Sequence, residues 1–154
     1  MSTTPTDRTD TFVVNVEIAI LHAGRYLMIV RAEAEDFGAG WLTFPGGKLD
    51  WNGPQDDAIR QTAHREAREE VGLALDPDIE IVEMHTFDAG RPCLDIVVLA
   101  RPREVDPQPV AGSPEEVAAM HWMTRDEIVD DPRTQPWTIA SLDQADLVRS
   151  RRMW

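Results

Sequence analysis

Between Trp41 and Gly72 the chain has few ways to arrange itself. Trp41-Leu42-Thr43-Phe44 has strand character and is stopped by Pro45-Gly46-Gly47, two glycines that allow a tight loop whose backbone can approach a ligand. Gln55 to Val71 then runs without Pro or Gly and is rich in helix formers. It predicts a helix with Pro54 or Gln55 in the first turn, Asp56 and Asp57 at the positive end of the dipole, and Gly72 as the stop. Glu66, Glu69 and Glu70 are spaced i, i+3, i+4. At 3.6 residues per turn they span about 100° of the helix, one face. Three like charges there repel by a few tenths of a kcal/mol per pair (about 0.2–0.5) when exposed. Arg65 and Arg68 offset part of this, and a hard dication such as Mg²⁺ or Mn²⁺ would offset it better. A solvated charged face and a metal site therefore both fit the helix alone. The Gly-Gly loop just before it favours the metal site.

The remaining chain supplies strands and two more helices. Phe12 to Leu21 and Tyr26 to Ala32 are apolar and partly alternating, and His22-Ala23-Gly24-Arg25 joins them as a hairpin. Glu33 to Gly40 is a polar loop. Ile79 to Phe87 and Leu94 to Ala100 form a second strand pair around Asp88-Ala89-Gly90-Arg91-Pro92. Arg101 to Pro114 is a proline-rich loop, and Val117 to Met123 returns as a strand. Thr124-Arg125-Asp126-Glu127 has capping-box spacing and opens a short helix. Thr138 to Arg151 reads as a final helix with Ile139, Leu142, Ala145, Leu147 and Val148 on one side. The sum is an α/β or α+β domain with a mixed sheet. Residues 11–154 are expected to form one domain, and residues 1–10, polar and without a basic region, a disordered tail.

Charge and cysteine content remove several functions. The chain carries 28 Asp and Glu against 15 Lys and Arg, a net charge of −13. Nucleic acid and anionic membranes both call for basic surfaces, so neither is expected as a partner. The single Cys93 cannot close an internal disulfide, and no apolar run approaches the roughly 20 residues of a membrane span. A cytoplasmic location is the expectation. The four histidines show no ligand spacing, and His64 is given no role.

The stretch from Pro45 to Leu73 resembles the Nudix box of the Nudix hydrolases. That pattern reads Gly, five residues, Glu, seven residues, then Arg-Glu-aliphatic-any-Glu-Glu-any-Gly-aliphatic. Its second half is matched by Arg65-Glu66-Ala67-Arg68-Glu69-Glu70-Val71-Gly72-Leu73, and its lead-in by Pro45-Gly46-Gly47. Trp122 ahead of Thr124-Arg125-Asp126-Glu127-Ile128 also looks like the family's ending. The first half departs. Asp57 stands where the family has Glu, Trp51 where it has Gly, and Gly47 precedes Arg65 by 18 positions rather than 14. The loop is thus four residues longer, with Asp50, Trp51, Asn52 and Gly53 in the bulge.

The resemblance implies an α/β/α sandwich around a mixed sheet. It implies a Mg²⁺- or Mn²⁺-dependent pyrophosphohydrolase in which activated water cleaves a diphosphate bond of a nucleoside di- or triphosphate derivative. The metal ligands would be Glu66, Glu69 and Glu70 with a backbone carbonyl, here that of Gly46. Arg65 would orient the glutamates, and Asp57 would reach Arg65. The general base would be Glu69 or Glu70, or else Glu115 or Glu116, with Glu116 the candidate carried forward. Trp41, Trp51 and Phe37 offer rings for a base, a contact of about 1–3 kcal/mol; the other reading is core or loop packing, favoured for Trp41. Arg31 offers a guanidinium to a phosphate or to a surface ion pair. The substrate would be a small phosphate compound, and a homodimer is compatible with the family. The alternative is a Nudix-like domain that binds a nucleotide or sugar phosphate without cleaving it.

Overall fold

A computed structural model describes residues 11–154; the tail expected at 1–10 lies outside the described residues. The order is β1 (Val13–His22), β2 (Arg25–Arg31), β3 (Leu42–Thr43), β4 (Gly46–Lys48), α1 (Ala58–Val71), β5 (Glu80–Asp88), β6 (Pro92–Ala100), β7 (Val117–Met123), α2 (Arg125–Asp130) and α3 (Pro136–Arg152). The seven strands form one mixed sheet in the order β3-β2-β1-β6-β5, with β4 added to β1 and β7 to β2. Among the strands of the described residues, β1 and β6 alone pair in parallel, in register from Val13 opposite Cys93 to Ile20 opposite Ala100. Ala23 and Gly24, both at positive φ, turn β1 into β2, a two-residue hairpin whose twist suits the strands.

Side-chain alternation splits the core into two layers. Val16, Ile18 and Ile20 of β1, with Leu27 and Ile29 of β2, face Ala63, Ala67 and Val71 of α1. Ala19 and Leu21, with Tyr26, Met28 and Val30, face Leu142 and Ala145 of α3 and Ile128 of α2. Strand period 2 therefore gives each helix layer its own set of β1 residues. The same parity sends Asn15 and Glu17 to the α3 side. No helix of the described residues is long and apolar enough to cross a membrane.

Three expectations change. Gly46-Gly47 is not a free loop but a strand, paired antiparallel with Glu17 and Val16 of β1. The helix starts at Ala58, because Asp57 takes a left-handed φ of 52° and cannot sit in a helical turn. Neither Asp56 nor Asp57 reaches the first turn, and the Asp57 carboxylate turns to Arg60 at 2.9 Å instead of Arg65. The last helix begins at Pro136, a residue suited to the first helical position. Its buried face is Thr138, Ser141, Leu142 and Ala145, while Leu147 is exposed. The capping box at Thr124 and Glu127 and the Gly72 stop at φ 68° form as expected.

Tyr26 anchors α3 to the sheet by donating its hydroxyl to Asp146 Oδ1 at 2.6 Å. Burial and that carboxylate hold the phenol well above its ordinary range. The folded state therefore keeps the proton more tightly than the unfolded one, and stability falls as pH rises past about 10. Tyr26 is the sole tyrosine, so an alkaline absorbance titration reads it directly. The phenolate band should be absent near pH 10, within ~0.5 of the ordinary value, and appear only as the protein unfolds. An ordinary titration curve in folded protein would contradict the buried bond.

Candidate functional site

The glutamate face of α1 lies against β4. Glu70 is buried, and its Oε2 accepts the Gly46 N–H at 2.7 Å. Burial raises its carboxyl to about 7, against the lowering effect of that hydrogen bond. Glu66 rests on Gly47: a Cβ there would stand 2.2–2.4 Å from its carboxylate. Burial raises the Glu66 carboxyl too, and Arg65 works the other way. The two glycines are thus the surface on which two of the three glutamates rest. Glu69 is largely exposed.

Arg65 ties this face together. Its Nη1 donates to Glu66 Oε1 at 2.7 Å and Glu69 Oε2 at 3.0 Å, and its Nη2 to the Lys48 carbonyl at 2.8 Å. It also lies 3.5 Å from Asp50 Oδ2. The lengthened loop therefore contributes a carboxylate to the arginine. Its Trp51 is 76% exposed and has no ring partner among the described residues. Gly112 donates its N–H to the Glu70 carbonyl at 2.9 Å, which brings the following segment round the end of α1. Glu116 arrives in this way within the field of the Glu70 carboxylate.

Among the described residues, no three His, Cys, Asp or Glu side chains converge tightly enough to enclose a metal ion. Glu66 and Glu69 are turned to Arg65, and Glu70 to Gly46. The donor set nevertheless suits a hard cation: three carboxylates on one face, two of them raised by burial with too little positive charge beside them.

A second set of polar groups, which local patterns leave hidden, extends from this site across the sheet. Glu17 stands opposite Gly46 in register, deep but not sealed from solvent. Burial and then Asp95 push its carboxyl well up, and Arg31 opposes this. On β6, Asp95 is nearly fully buried and accepts from Asn15 Nδ2 at 2.7 Å. On β5, His85 Nε2 lies 3.6 Å from Asp95, and its buried Nδ1 has no hydrogen-bond partner. Glu83 accepts from Ser141 of α3 at 2.6 Å. From β4 through β1 and β6 to β5 is three strand spacings, about 14 Å. The only signal in the sequence is polar residues where apolar ones are due, at Asn15, Glu17 and Asp95.

Aromatic rings continue the surface. His85 lies 6.3 Å from Phe87, Phe87 stacks 6.0 Å from Phe37, Phe37 meets Trp41 at 5.2 Å, and Trp41 meets Trp137 at 5.3 Å. Phe37 and Trp137 are 43% and 45% exposed, more than core rings would be. Trp41 therefore joins an aromatic wall and Trp51 does not. Arg31 pairs with Glu35 at 3.0 Å and donates to the Phe37 carbonyl at 3.0 Å, fixing the loop that carries the wall.

The NUDIX domain family matches residues 11–144. The human mitochondrial coenzyme A diphosphatase NUDT8 is 39% identical over 84 residues, 51% of this chain and 32% of that protein. The match thus spans about a third of the length of that curated relative. Among solved structures, a MutT NUDIX hydrolase from Burkholderia pseudomallei is 28% identical, with 87% of this chain and 98% of that one covered and a TM-score of 0.71. A NUDIX hydrolase from Nitrosomonas europaea, 20% identical with 90% of each chain covered and a TM-score of 0.72, shares the fold.

Proposed function

Because this chain belongs to the NUDIX domain family, we propose that it hydrolyses a diphosphate bond in a nucleoside di- or triphosphate derivative, using Mg²⁺ or Mn²⁺. The observation that carries this is the glutamate face of α1 resting on Gly46 and Gly47. Glu66, Glu69, Glu70 and the Gly46 backbone would hold the cation. When bound, it would neutralise phosphate charge and make a water a better nucleophile. Arg65 orients Glu66 and Glu69. Attack of water on one phosphorus breaks its bond to the bridging oxygen, and the water proton passes to a carboxylate. Glu70 is occupied by Gly46 and Glu69 by Arg65, so Glu116 is assigned as that base. The base of the substrate would lie over Asn15, Glu17 and Asp95 against Trp41, with Arg31 beside the phosphates. The partner is a small phosphate compound met in the cytoplasm.

A panel of nucleoside diphosphate derivatives tests this, with coenzyme A included for the human relative and a sugar phosphate lacking a base as contrast. Phosphate or pyrophosphate release that requires Mg²⁺ or Mn²⁺ is the expected outcome. Saturable binding without release from any compound would instead favour the non-cleaving domain.

A further inference from the structure

Beside the glutamate face, and sharing its Arg65 and Glu69, an open hollow of about 630 Å³ runs along the solvent side of α1. His64, Arg65, Arg68 and Glu69 line it from the helix, and Arg103 from the segment after β6. Its charge runs against that of the chain. Carboxylates outnumber cations by 28 to 15 overall, yet here three guanidiniums meet one carboxylate. That carboxylate, Glu69, is taken by Arg65. Arg68 and Arg103 make no ion pair and no side-chain hydrogen bond with any described residue.

Their approach is imposed by the backbone. The Arg103 N–H donates to the Ala74 carbonyl at 2.8 Å, the Asp76 N–H to the Arg101 carbonyl at 2.8 Å, and Leu75 bridges to Pro102. Arg103 is thereby pinned beside the end of α1. Arg68, in the last turn of α1, complements the helix dipole. Nothing comparable accounts for Arg103.

We infer that this hollow binds a phosphate dianion, with Arg68 and Arg103 as its ligands. Each guanidinium offers a planar fork that matches two phosphate oxygens, and the two positive charges balance a dianion. A monocarboxylate would leave one charge over. The dianion is either free inorganic phosphate or a phosphate group on a molecule whose diphosphate lies at the glutamate face, since Arg65 and Glu69 border both places. Binding of free phosphate does not depend on the hydrolase reading; the substrate-borne source rests on it.

Inorganic phosphate is the probe, titrated by calorimetry in EDTA so that no metal draws it to the glutamates. Ionic strength is held constant with KCl, because screening weakens exposed charge contacts. Saturable binding with Kd of roughly 0.1–10 mM is expected for the unmodified chain. Arg68→Gln and Arg103→Gln should each weaken it, and the double variant by at least ~10-fold, about 1.4 kcal/mol. Glu70→Gln should leave it unchanged. No saturation, or equal binding by the double variant with an unchanged melting temperature, overturns the site. For any compound the chain hydrolyses, added phosphate that raises KM only when the compound carries an additional phosphate identifies a substrate-borne source. An unchanged KM identifies free phosphate.

Discussion

Glu70→Gln is expected to lower kcat by about 10²–10⁴-fold while leaving the fold intact. The carboxamide oxygen can still accept the Gly46 N–H that Glu70 accepts at 2.7 Å. It no longer offers a charge to a dication. The folded protein should tolerate the change, because burial already disfavours the charged form of Glu70, raising its carboxyl to about 7. A neutral amide escapes that penalty, so unfolding free energy should stay within about 1 kcal/mol of the parent. Turnover and urea unfolding measured together check both parts. Full metal-dependent turnover in a folded Glu70→Gln protein would falsify the assignment of the glutamate face. Glu69→Gln should cost less activity, because Glu69 is exposed and makes its one side-chain contact with Arg65.

The two glycines beneath that face should respond in opposite ways. In Gly46→Ala the new Cβ would lie 2.1 Å from the Val16 carbonyl oxygen and 2.9 Å from Glu17 Cα. Both are backbone atoms of the central strand and cannot step aside. The variant should lose β4 from the sheet and about 3 kcal/mol or more of stability. In Gly47→Ala the atoms nearest the Cβ all belong to the Glu66 carboxylate, the far end of a flexible side chain. Glu66 can rotate away, so the stability loss should stay below about 1.5 kcal/mol, while activity falls by ~10²-fold if Glu66 holds the cation as proposed. Denaturant midpoints and kcat/KM for the pair measure this. Equal stability losses, or a fully active Gly47→Ala protein, would remove the glycines from the site.

What was legible in the sequence is what local spacing controls. The Glu66, Glu69 and Glu70 face needs only the 3.6-residue period, Gly72 only its tolerance of positive φ, and the Thr124 box only a three-residue interval. The strand at Gly46-Gly47 was not legible, because glycines carry no side-chain pattern and the partner that makes them a strand lies about thirty residues earlier. Asp57 follows the same logic: its left-handed backbone delays the helix although its neighbours favour one. The polar floor joins Asn15 to Asp95 and His85 across three strands, a contact 80 residues apart. Arg68 and Arg103 likewise meet only because Leu75 and Pro102 bridge.

The parallel pairing of β1 with β6 sets a condition on how the chain is made. Antiparallel β2 follows β1 at once, but the parallel partner ends at Ala100, 78 residues after His22. At about 5–20 residues per second, a ribosome takes roughly 4–16 s to cover that distance. Throughout that interval the Val- and Ile-rich central strand has an open edge, the kind of surface on which nascent chains aggregate. Assembly of the glutamate platform on β4 can precede this moment. The floor that reaches Asp95 cannot, so the two halves of the site are completed at different times during synthesis.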